Sequence, residues 1–131
     1  MNNTKIKLDN RINEREFGIN YLNELPDDFT EHSFNDKSFK IYDGESLNDM
    51  DLRFNEFLKE ILNNCDKSIL VIHGIVLLSF LQNNCEFEYK DRKIFVRYND
   101  KVIIDECPKS PGVYKITYDE NNNIVDISDI Y

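Results

Sequence analysis

The stretch "SILVIHGIVLLSFL", residues 68–81, decides the fold. Residues 68–72 are almost continuously apolar. Such a run suits a strand buried on both faces, as in a parallel sheet covered by helices. Gly74 breaks the run, and residues 75–82 then read as a buried helix. His73 stands between the two, where a strand would end and a helix begin. Upstream, Leu47, Met50, Phe54, Phe57, Leu58, Ile61 and Leu62 recur at spacings of three and four. That spacing lines one apolar helix face. Ser46 is placed to cap the helix, and Asp49, three residues on, imitates the acidic half of a capping box. Helix 46–62, strand 68–72 and helix 75–82 follow the order of an α/β layer fold.

The flanks extend this reading. Ile6 and Leu8 alternate with polar residues, which predicts a short strand. Residues 19–25, "INYLNEL", predict a brief helix closed by Pro26. Residues 27–45 have no clear period and read as loop and short helix. The last third contains "EFEY", "KIFVRY", "KVIID", "VYKITYD" and "IVDIS", all short and β-rich. Turn residues at 90–93, 99–100 and 119–123 separate them into an antiparallel meander. The expected architecture is a single α/β domain over residues 1–131, with an antiparallel β-rich C-terminal part.

Composition narrows the function classes. A chain of 131 residues fits one domain. At this size roughly 65–70% of the unfolded surface is buried, enough for a core without disulfides or metal. No apolar run approaches the ~18 residues of a membrane span, and the N-terminus lacks the apolar region of a signal peptide. The net charge of −9 argues against nucleic acid and anionic membrane as partners, since both need a basic footprint. Cys65, Cys85 and Cys107 are odd in number and form no C-x-x-C pair. They predict free thiols in a reducing cytoplasm. His32 and His73 match no familiar zinc spacing with them, so neither metal nor cofactor is expected.

Three segments carry candidate chemistry. His73-Gly74 lies where open α/β sheets bind ligands, beside free helix N–H groups that favour an anion. Glycine there lets a ligand approach the backbone. A histidine so placed is more often a satisfied core or cap residue, and fold position does not prove function. Glu14, in "RINEREFG", could protonate a leaving oxygen if a phosphate lay beside it. On its own it reads as a solvated glutamate. Gly44-Glu45-Ser46 is accounted for as a helix start.

Together, in order and spacing, the three segments resemble the histidine phosphatase superfamily, the phosphoglycerate mutase-like proteins. That family has a Leu-x-Glu-x-x-aromatic-Gly segment, matched by residues 12–18, "INEREFG". It has a Gly-Glu-Ser segment opening a long helix with an arginine, matched by residues 44–46 and Arg53. It has an apolar strand ending in Ser-His-Gly-Gly, matched by Ile72-His73-Gly74-Ile75. The resemblance covers about residues 5–82. It implies phosphomonoester hydrolysis or phosphoryl transfer, with His73 as the second histidine facing the phosphoryl group and Glu14 as the proton donor. It also implies phosphate binding by His73 and Gly74.

The departures from the family pattern are specific. The Arg-His-Gly segment that supplies the family's phosphohistidine nucleophile is absent from these residues, and His32 in Glu31-His32-Ser33 does not replace it. Ile72 stands for the serine and Ile75 for the second glycine. Covalent catalysis by the usual route therefore needs a nucleophile from elsewhere. The family's first strand would lie beside segment 68–72, so an open apolar edge is expected. Such an edge invites a second copy or a partner chain. The expectation is a family member bound to phosphate or a phosphorylated small molecule, without catalysis as a lone chain. The alternative is a non-catalytic phosphate-binding or protein-interaction module built on the same fold.

Overall fold

The computed structural model describes residues 5–131. Two short 3-10 turns, Asn10–Ile12 and Leu22–Glu24, precede helix α1, Phe29–Asn35. Helices α2, Leu47–Asn64, and α3, Gly74–Asn84, form the helical layer. Five strands follow: β1 Glu86–Lys90, β2 Lys93–Tyr98, β3 Lys101–Glu106, β4 Tyr114–Tyr118 and β5 Ile124–Asp129. They make an antiparallel sheet of order β1-β2-β3 and an antiparallel β4-β5 hairpin. Lys101 Nζ joins the two at the β3–β5 border, donating to Asp126 Oδ1 at 2.7 Å and Ser128 Oγ at 2.9 Å. The chain is thus of mixed α/β class with an antiparallel β-rich C-terminal part.

Helix α2 forms as its pattern predicts. Ser46 Oγ accepts from Asp49 N at 3.0 Å and Asp49 Oδ2 accepts from Ser46 N at 3.0 Å, a complete capping box. Leu47, Met50, Phe54 and Phe57 are buried on one face. That face meets Val76, Leu78, Phe80 and Leu81 of α3 and Ile94, Val96, Ile103, Ile104 and Ile127 of the strands. A bulge in the β2–β3 ladder leaves Ile103 without an opposite residue, because Val96 faces Ile104 while Arg97 faces Val102. The extra residue lets the consecutive side chains Ile103 and Ile104 both enter the core.

A buried polar group needs partners, and Asp51 of α2 has them. Its Oδ1 accepts from Ser79 Oγ at 2.6 Å, and its Oδ2 accepts from Lys37 Nζ at 2.6 Å and Asn83 Nδ2 at 2.9 Å. This cluster fixes α3 against α2, and so fixes where α3 begins.

Three sequence expectations are corrected. Segment 68–72 is not a strand of a sheet, and no parallel sheet occurs among the described residues. Its burial alternates, with Leu70 and Ile72 packed on the core while Ile69 and Val71 are 94% and 87% exposed. That is the geometry of an extended segment. Yet residues 66–72 make no backbone hydrogen bond to any described residue. The apolar pattern specified the two faces, but a strand also needs a ladder, and no described segment supplies one. The strand expected at Ile6 and Leu8 is likewise unpaired and exposed over its described residues. The helix expected over 19–25 shortens to the turn Leu22–Glu24, whose residues are not buried. Without an apolar face to bury, so short a helix has nothing to hold it.

Candidate functional site

The site grows from two glycines. Gly18, at φ 73°, and Gly44 lie so close that a Cβ on Gly18 would collide with Gly44 N. A Cβ on Gly44 would sit 2.5 Å from the Phe17 carbonyl oxygen. Only two bare backbones can pack this way. The approach lays residues 14–18 against the start of α2. Glu45 N–H donates to the Glu16 carbonyl at 2.6 Å, and Glu16 N–H donates to Glu45 Oε1 at 2.9 Å.

Two arginines consolidate the junction. Arg15 is buried, and its guanidinium donates to the Glu45 carbonyl, Ser33 Oγ and the Phe39 carbonyl at 2.8–2.9 Å. It lies 4.6 Å over the Phe29 ring. Burial lowers its pKa, and the carboxylates of Glu45, Asp49 and Glu14 act in the opposite direction. Arg53 of α2 places Nε 2.8 Å from Glu45 Oε2 and Nη2 2.9 Å from Oε1, a two-point ion pair. It also donates to the Arg11 carbonyl at 2.8 Å and the Glu14 carbonyl at 3.1 Å. The Arg53 hydrogen bonds hold the Glu45 carboxyl below its ordinary range, and the same pairing raises Arg53.

Against this frame Glu14 and His73 come together. Glu14 Oε1 accepts from Arg15 N at 2.9 Å, and Oε2 lies 3.3 Å from His73 Nδ1. Their side chains are 40% and 60% exposed. His73 is the N-cap residue of α3, but its side chain makes no capping bond. Its carbonyl accepts from Val76 N and Leu77 N. The N–H groups of Gly74 and Ile75 have no partner among the described residues. A Cβ on Gly74 would meet nothing within 4 Å, so the fold itself does not require glycine there. The result is an open corner with a carboxyl, an imidazole and a bare helix N-terminus.

His32 is elsewhere, its ring stacked on Phe39 at 3.7 Å. The three cysteines are free, and burial pushes the Cys85 thiol up to about 11. Among the described residues no group of three or more His, Cys, Asp or Glu side chains is arranged to hold a metal ion. No helix among them is long and apolar enough to cross a membrane. The inward roles of Arg15, Glu45 and Arg53 were not assigned from sequence. One signal existed: Arg53 falls three residues after Met50 and four before Phe57, on the buried stripe of α2.

A search of curated proteins and a search of solved structures each found no match. The family model for the histidine phosphatase superfamily (branch 1) matches residues 1–107. This span takes in Glu14, the Gly-Glu-Ser turn, His73 and the strands through β3, and leaves the β4–β5 hairpin outside. The chain belongs to the histidine phosphatase superfamily.

Proposed function

We propose that the chain binds a phosphoryl group, as inorganic phosphate or a small phosphomonoester, at the corner of Glu14, His73 and Gly74, and does not transfer it alone. The 3.3 Å approach of His73 Nδ1 to Glu14 Oε2, at the mouth of α3, carries this reading. The His73 ring and the Gly74 and Ile75 N–H groups, unpartnered among the described residues, suit an anion. In a complete site Glu14 would be the acid that protonates a leaving group, the role the family resemblance implies. Against turnover by the chain alone, these residues contain no Arg-His-Gly segment. The nearby guanidinium groups of Arg15 and Arg53 are spent on protein carbonyls and Glu45. Phosphoryl transfer depends on dense positive charge around the moving group. The site offers binding and acid chemistry without that density.

The test is a thermal melt with and without inorganic phosphate, paired with an aryl phosphate hydrolysis assay. At a phosphate concentration near 100 Kd the expected stabilisation is about 2.7 kcal/mol. It should vanish in His73→Ala, with no hydrolysis by either protein. Hydrolysis abolished by His73→Ala and Glu14→Gln would instead establish a working phosphatase. A melt indifferent to phosphate would end the binding reading.

The exposed Ile69 and Val71 support a second reading. We infer that segment 66–72 is covered by a second copy of the chain, in a reducing cytoplasmic setting that suits its free thiols. Sedimentation across a concentration series tests it. Self-association weakened by Ile69→Lys supports it, and a different polypeptide bound there would replace the second copy.

A further inference from the structure

Resting on the reading of Glu14 and His73 as a working pair, we propose that Arg53 and Glu45 are positioning residues that aim the Glu14 carboxyl at His73. Glu14 is too exposed for packing alone to fix its direction. What is fixed is the backbone around it. Arg53 holds the Arg11 carbonyl before Glu14 and the carbonyl of Glu14 itself. Glu45, gripped by the same guanidinium, holds the Glu16 N–H after it. One planar fork and one carboxylate thus pin the chain on both sides of Glu14.

From that fixed backbone the side chain reaches two partners. Oε1 turns back to the Arg15 N–H, and Oε2 faces His73. The other partner is set from the same helix. Asp51 and Phe54 of α2 bind Ser79 and Phe80 of α3, which begins just after His73. Arg53 lies between Asp51 and Phe54 in sequence, so one stretch of α2 fixes both ends of the Glu14–His73 approach. A lysine could not do the same. Arg53 makes its four contacts with a rigid fork, while an ammonium is a point charge on a flexible stem.

The experiment reads the ring nitrogen signals of His73 by NMR in 15N-labelled protein without phosphate. Those signals report which nitrogen carries the proton and what faces it. Glu14→Gln sets the reference displacement. Arg53→Met, with Glu14 intact, is expected to reproduce most of that displacement in a protein that still melts cooperatively. Arg53→Lys should not restore the wild-type signals. Adding Arg53→Met to Glu14→Gln should move them no further, because a positioning residue acts only through the group it positions. Where Arg53→Met does not fold, Glu45→Gln makes the same comparison. The proposal is overturned if Glu14→Gln leaves the signals unmoved. It is also overturned if the folded Arg53→Met or Glu45→Gln protein keeps wild-type signals, or if Arg53→Lys restores them. Since no phosphate is present, failure of phosphate binding in the melt leaves this result standing, and the reverse also holds.

Discussion

Glu45 sits at the junction of the N-terminal segment with α2, and its ionisation has a calculable sign. Hydrogen bonds from Arg53 hold its folded-state pKa below the ordinary 4.5. A carboxyl depressed on folding contributes stability above its unfolded pKa and loses it as pH falls through the folded pKa. Urea midpoints of the wild type should therefore fall on acidification below about 4.5. Other carboxylates lowered by hydrogen bonds, such as Asp49 at the helix cap, add to that loss. The Glu45 share is the difference between wild type and Glu45→Gln, which should be largest at neutral pH and shrink in acid. A constant difference from neutral pH into acid would remove Glu45 from the account. At this scale the sequence singled out Glu14 and His73 because each lies in a short motif, and the fold brings their side chains to 3.3 Å. It concealed what Arg15 and Arg53 hold, because apart from Glu45, eight residues before Arg53, their partners lie 18–42 residues away.

Between residues and the whole molecule, the hairpin turns show local rules at work and one local conflict. Asp91 and Arg92 both have positive φ, at 52° and 65°, and so do Asn99 and Asp100, at 46° and 65°. Two consecutive positive values are what a tight two-residue hairpin turn demands, with Asn-Gly or Asp-Gly the favoured pair. Asn99-Asp100 comes near that preference. Arg92 does not, since its Cβ is crowded in the left-handed region. Arg92→Gly should therefore raise stability by roughly 0.5 kcal/mol, the relief of strain outweighing glycine's added unfolded-state freedom. An unchanged or lower urea midpoint would show that the arginine side chain offsets the strain. These turn residues, with those at 119–123 and the prolines at 108 and 111, made all five strands legible in the sequence, and the three-and-four spacing did so for α2. Segment 68–72 misled because its signal, a run of apolar residues, describes a position inside a sheet rather than a strand by itself. Leu70 and Ile72 do face the core as the run implies. What the described residues lack is a neighbouring strand beside it, which no local pattern encodes.

For the whole molecule, that missing neighbour sets a balance between apolar gain and charge. Two copies covering each other at segment 66–72 would bury Ile69 and Val71 from each. At about 1.5–3 kcal/mol per side chain, the gross gain is roughly 6–12 kcal/mol. Bringing two proteins together costs an estimated 4–15 kcal/mol in lost freedom. Each copy also carries a net charge of −9, so the copies repel. The terms nearly cancel, and the association should be weak and promoted by salt, which screens repulsion without weakening apolar contact. Hydrogen exchange would read both sides of the balance. At low salt and high dilution the amides of residues 66–72, which bond to no described residue, should exchange freely while those of α2, α3 and β2 are protected. Raising salt and concentration should protect residues 66–72 selectively, together with a rise in sedimentation coefficient. Ile69→Lys should abolish both changes without altering protection in the helices. Exchange at 66–72 that stays fast at every salt and concentration, with an unchanging sedimentation coefficient, would leave Ile69 and Val71 uncovered in solution and rule out the second copy.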